Sequence, residues 1–174
     1  MSNKSYFIVA ILDENGAEAI LNLQKELGIE LDNLNDIPHL TLASYEETID
    51  ADNLLEWVNE FSQKQKSVDL CLYALTVIHI NGLIALPLIS PELYELYYNI
   101  HQKYDKYSRF GNLTSGWFPH ITIAYTNNNK IINEKILRVT NRYNFINTKI
   151  ISLWVSCLDD DRVLTILGKF PLQD

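Results

Sequence analysis

Pro38-His39-Leu40-Thr41-Leu42-Ala43-Ser44-Tyr45 and Pro119-His120-Ile121-Thr122-Ile123-Ala124-Tyr125 write one pattern twice: proline, histidine, apolar, threonine, apolar, alanine. Both copies are rich in residues that suit a pleated, half-buried surface. Successive side chains of a strand point to opposite faces. His39 and Thr41 therefore share one face while Leu40 and Leu42 point to the other, and His120 and Thr122 stand likewise against Ile121 and Ile123. Each copy offers an imidazole and a hydroxyl side by side on a strand anchored by aliphatics. Two such pairs facing each other make a symmetric site for a phosphate.

Outward from these strands, both halves of the chain repeat one order of elements. Residues 6–12 are a continuous apolar run, as in a strand covered on both faces. Residues 15–27 carry apolar positions at helical spacing and stop at Gly28. After the first motif, Asp50 is placed to cap a helix over 51–63, and 67–79 reads as a strand. Asn81-Gly82 signals a hairpin turn, with the returning strand over 83–88. The order then restarts: a helix from Ser90-Pro91 to about 107, a loop over 108–118, the second motif, a helix over 130–143, and strands over 149–158 and 163–170. This predicts an α+β fold in one domain, built from two repeats of about 1–81 and 82–174. The simplest account is an internal duplication, with helices outside and two sheets forming a central cleft.

The bulk composition bounds the partner. The chain has 174 residues, 47% hydrophobic and 21% charged, enough for one substantial core. Its 22 acidic and 14 basic side chains leave a net charge of −8, the opposite of what a duplex binder needs. A nucleic-acid partner is expected to be small. Cys71 and Cys157 sit in apolar runs and read as buried hydrophobes rather than a disulfide or redox pair. The apolar run at 6–12 is too short to span a membrane and meets Asp13-Glu14 without a cleavage site. A cytoplasmic monomer is the default expectation.

Histidine titrates near neutrality, so two of them on opposite sides of a phosphoester can divide the proton transfers. The threonine hydroxyls and nearby N–H groups would hold the non-bridging oxygens. This suits a reactive diester such as a 2′,3′-cyclic phosphate and calls for no cofactor and no metal. A metal site is the weaker reading, because His-x-Thr is a poor ligand pair and neither motif contains a carboxylate or thiol. His79 and His101 read as structural, as does the Tyr94, Tyr97, Tyr98, His101, Tyr104 face of the third helix. Asp159 to Asp161 read as a solvated turn. Tyr45, Tyr125 and Phe118 are candidates for stacking on a base, and Arg109 and Lys106 for anchoring a phosphate.

With both motifs flanked in this way, and with Trp117-Phe118-Pro119 before the second, the chain resembles the two-histidine (2H) phosphoesterase superfamily, in its 2′-5′ RNA ligase-like branch. The resemblance implies a bilobal, pseudo-two-fold α+β fold, with two antiparallel sheets and both motifs lining the central cleft, and metal-independent opening of cyclic phosphodiesters or cleavage of 2′-5′ linkages on nucleotides or RNA ends. It implies His39 and His120 as acid and base, with Thr41 and Thr122 on the phosphate. Members of the branch often carry an arginine where this chain has Tyr125, which together with the acidic charge points away from long RNA. The expected activity is a phosphodiesterase acting on a small nucleotide or short RNA end, with no duplex DNA and no membrane. The alternative is a non-catalytic binder of the same ligands in the same cleft.

Overall fold

The computed structural model describes residues 4–28, 37–46, 49–78, 82–110, 113, 116–125, 139, 143–161 and 163–174, with the backbone alone at 109, 110 and 125. In chain order the elements are β1 (Ser5–Leu12), α1 (Glu14–Leu27), β2 (His39–Glu46), α2 (Ala51–Ser62), β3 (Val68–Ile78), β4 (Gly82–Pro87) and α3 (Pro91–His101), then a 3₁₀ turn (Asp105–Tyr107), β5 (Ser108–Phe110), β6 (Ile121–Tyr125), β7 (Ile146–Leu158) and β8 (Leu164–Pro171). Of the helix expected over 130–143 only residues 139 and 143 are described, and His79 and Asn81 lie outside the described residues.

The helices begin where their caps say they should. Asp13, Asp50 and Ser90 each accept a hydrogen bond from the backbone N–H three residues on, satisfying donors that a first turn leaves open. Gly28 ends α1 at φ 54°, and its N–H reaches the carbonyls of Gln24 and Lys25. Only glycine adopts that conformation freely. Two expectations need adjustment. Gly82 already pairs with Ile78 as a strand residue. The third helix stops at His101 instead of running to 107, because a tight turn, with Tyr107 N–H on the Tyr104 carbonyl, delivers β5 to the edge of β2.

The strand pairs are all antiparallel and close on themselves. β1 pairs with β2 and β7, β7 with β3, β3 with β4, β4 with β6, and β6 with β2, while β8 extends β7 and β5 lies on β2. The two expected sheets are two arms of this ring. Their junction between the motif strands is one residue pair, Leu40 with Ile121. Behind it, Leu40, Leu42, Ile121 and Ile123 are all essentially inaccessible. Each contributes about 1.5–3 kcal/mol by burial, which holds the motif strands to the core. Both arms thus bring their motif to one seam.

Candidate active site

At that seam His39, Thr41, His120 and Thr122 line a single cavity of about 330 Å³. All four side chains are half-buried. The imidazoles are tethered alike. His39 Nδ1 lies 2.7 Å from the Ile37 carbonyl and His120 Nδ1 lies 2.9 Å from the Phe118 carbonyl, two residues upstream in each case. A carbonyl only accepts, so Nδ1 carries the proton in both rings. The neutral ring then keeps its lone pair on Nε2, and the protonated ring donates from it. Burial holds the His39 imidazole below its ordinary pKa; the Ile37 carbonyl opposes this, and the nearby His120 ring adds to it.

Both motif strands also carry a bulge at one position. Ile8 and Val9 of β1 face Ala43 and Thr41, which leaves Leu42 as an extra residue in β2. Leu83 and Ile84 of β4 face Ala124 and Thr122, which leaves Ile123 extra in β6. A bulge inserts one residue and re-aims the side chains beyond it. The effect on β2 is visible in its partners, because cross-strand pairs share a face. Val9 and Thr41 both line the cavity. Past the bulge, Tyr45 pairs instead with Tyr6, and both lie in the core.

That placement corrects one expectation. Tyr45 is fully buried, with its hydroxyl directed at the Ile100 carbonyl at 3.5 Å, and offers no ring to a base in the cleft. Phe118 stands differently: it is 55% exposed and tilts against His120, with ring centroids 5.6 Å apart. Lys106 is exposed, lies over the Tyr107 ring at 4.7 Å, and does not line the cavity. The side chains of Arg109 and Tyr125 lie outside the described residues.

The outer edge of β2 pairs with β6 at Leu40 and with β5 from Ser44 onward. Between these points two side chains supply the missing donors. Trp117 Nε1 donates to the Thr41 carbonyl at 3.4 Å, and His101 Nε2 donates to the Leu42 carbonyl at 3.0 Å. Tyr97 of α3 stacks flat on Trp117, with centroids 4.3 Å apart. His101 Nδ1 in turn meets Asp105 Oδ1 at 3.1 Å. His101 is structural, as its place among the tyrosines suggested. The segment before the second motif thereby braces the first.

Several residues of the cleft were not anticipated. Its broad wall is apolar: Phe7, Val9 and Ile11 of β1, Trp154 of β7, and Leu164 and Ile166 of β8. Ser156 is a polar point on that wall. The alternation of β7 marked which of its residues share a face, but nothing local said that β7 lies beside β1. Among the described residues no lysine or arginine lines the cavity.

No family model and no curated protein matches the sequence. Solved structures do match over essentially the whole chain. LigT of E. coli, crystallised with phosphate, superposes with a TM-score of 0.59 at 15% identity, covering 100% of both chains. TT0787 of Thermus thermophilus gives 0.62 at 15% identity over 97% of this chain and 98% of its own, and a structure described as a phosphoesterase gives 0.64 at 15% over 98% and 99%. The fold is that of the LigT-like 2H phosphoesterases. LigT has also been crystallised with ATP and with 3′-AMP. In this chain the two His-x-Thr strands meet at the seam between the arms of the ring.

Proposed function

We propose that this cleft opens a phosphodiester by paired-histidine acid–base catalysis without a metal ion, acting on 2′,3′-cyclic phosphates or 2′-5′ linkages of a nucleotide or short RNA end. The observation that carries the reading is the like tethering of His39 and His120, each with Nδ1 held by a carbonyl and Nε2 left for chemistry, in one cavity with both threonines. A phosphate between them meets one base, one acid and two hydroxyls. His39, whose neutral form burial favours, takes a proton from water. The water oxygen bonds to phosphorus, the bond to the departing ribose oxygen breaks, and His120 hands that oxygen its proton. Thr41 and Thr122 donate to the non-bridging oxygens as charge builds on them. Proton exchange with solvent then restores both rings.

The cavity volume suits one nucleotide rather than a long chain, and the net charge of −8 agrees. Among the described residues no three His, Cys, Asp or Glu side chains are grouped to hold a metal ion. The testing experiment is hydrolysis, in EDTA, of the four nucleoside 2′,3′-cyclic phosphates, a 2′-5′ diadenylate and a 3′-5′ control. Cleavage of at least one of the first five, abolished by His39→Ala and by His120→Ala, is the expected result. Activity that disappears with the chelator and returns with a divalent ion would overturn the mechanism.

A further inference from the structure

The cations singled out in the sequence, Lys106 and Arg109, belong to the approach to the second motif. The strand registers put a different one on the cleft face. Val9 pairs with Thr41 on one side and with Trp154 on the other, and Trp154 pairs with Lys169. Cross-strand partners share a face, so Thr41, Val9, Trp154 and Lys169 form one row across β2, β1, β7 and β8. The first three line the cavity. The Lys169 ammonium sits over the Trp154 ring, 4.0 Å from its centroid. It is thus drawn back along the row toward the cavity by attraction to the indole face. Among the described residues no carboxylate is paired with it.

Two strand spacings separate Thr41 from Trp154, about 10 Å. That is the reach of one nucleotide measured from a phosphate at its 2′,3′ side to a cation in contact with a phosphate at its 5′ side. The apolar surface of Val9 and Trp154 fills the interval, where a nucleoside would lie. We propose that Lys169, held on Trp154, anchors a second anionic group of the substrate, a 5′-phosphate one nucleotide away from the diester under the two imidazoles. The inference deepens the reading of this same cleft as a phosphodiesterase site and rests on it. It makes the preferred substrate a nucleotide or RNA end phosphorylated on its 5′ side, in place of a bare nucleoside cyclic phosphate.

The test compares adenosine 2′,3′-cyclic phosphate with its 5′-phosphorylated counterpart, on the wild type, Lys169→Met and Lys169→Arg. Wild type is expected to favour the 5′-phosphorylated substrate about three- to tenfold in kcat/KM, through KM, as suits a solvent-exposed ion pair. Methionine should abolish the preference, arginine should restore it, and added salt should erode it. The ratio between substrates is the readout, so a general loss of activity does not imitate the effect. A wild-type ratio near one, or a ratio that survives in Lys169→Met, overturns the proposal. If neither substrate is cleaved, the phosphodiesterase reading has failed on its own. Calorimetric titration with adenosine 3′,5′-bisphosphate against adenosine 3′-monophosphate then decides the anchor. Tighter binding of the bisphosphate that is lost in Lys169→Met supports it, and equal binding overturns it.

Discussion

The two motif strands are built alike and housed differently. β2 and β6 share the Nδ1 tether, the buried aliphatics and the bulge one residue after threonine. His39, however, follows Ile37, and burial there costs an imidazolium its hydration. Beside His120 stands Phe118, more than half exposed. Local sequence makes two equal half-sites, and non-local packing makes them unequal. Equal half-sites alone would let either ring be the base. In the proposed mechanism it is the burial of His39 that gives this ring the neutral role.

The largest expected effect comes from removing either ring. His39→Ala and His120→Ala should each lower kcat by about 10²–10⁴-fold, the usual worth of a positioned acid or base, measured on whichever cyclic phosphate the wild type prefers. If one of them retains near-normal activity, the half-sites do not work as a pair. The pH profile then sharpens the comparison. A lowered His39 pKa means that its neutral form persists to more acid pH than usual, so the acid limb of kcat/KM should lie below about pH 6.5. In the residual activity of His120→Ala the acid limb should remain, moved slightly upward because the second ring no longer opposes the charge on His39. An acid limb that vanishes with His120 would exchange the two roles.

Legibility in the chain divides along the same line between local and non-local. The pairing of His39 with Thr41, and of His120 with Thr122, on one face needed only the alternation of a strand, which is local. The caps at Asp50 and Ser90 were legible for the same reason. Tyr45 was not. Its face depends on a bulge whose extra residue, Leu42, is defined by pairing with Ile8 and Val9 more than thirty positions earlier. Trp154 was invisible as a cleft residue, and Lys169 as its neighbour, because nothing in their own strands says that β7 lies beside β1. β5 was hidden in what read as a glycine-containing loop, and the run of tyrosines carried helical periodicity past the true end of α3.

Smaller effects probe the oxygens. Thr41→Val and Thr122→Val keep size and strand preference while removing the hydroxyl. Each should cost about 10²–10³ in kcat if it meets charge that develops in the transition state, with KM little changed. Unequal losses would show that the phosphate sits closer to one half-site. Next comes the brace. Trp117→Phe keeps the aromatic face against Tyr97 but removes the donor to the Thr41 carbonyl. At 3.4 Å this is a long bond, so the stability loss in chemical denaturation should be about 0.5–1 kcal/mol. Kinetically it should act on the first half-site, so its effect and that of Thr41→Val should be less than additive. Full additivity would mean that Trp117 merely fills space.

The smallest expected effect separates core from cleft. Tyr45 follows the first motif closely enough to look like a base platform, yet it is enclosed with Tyr6, and burial pushes its phenol pKa well upward. Tyr45→Phe removes a hydroxyl whose contact to the Ile100 carbonyl is at the limit of hydrogen bonding. A weak bond is lost without opening a cavity, so stability should change by about 0.5 kcal/mol or less, and KM for any nucleotide should stay at the wild-type value. Phe118→Ala, beside the second motif, should instead raise KM if its exposed ring meets the base, by about five- to tenfold or more. A rise in KM for Tyr45→Phe with none for Phe118→Ala would reverse the contrast. It would mean that the bulge at Leu42 does not hold in solution, since only the unbulged register turns Tyr45 toward the cleft.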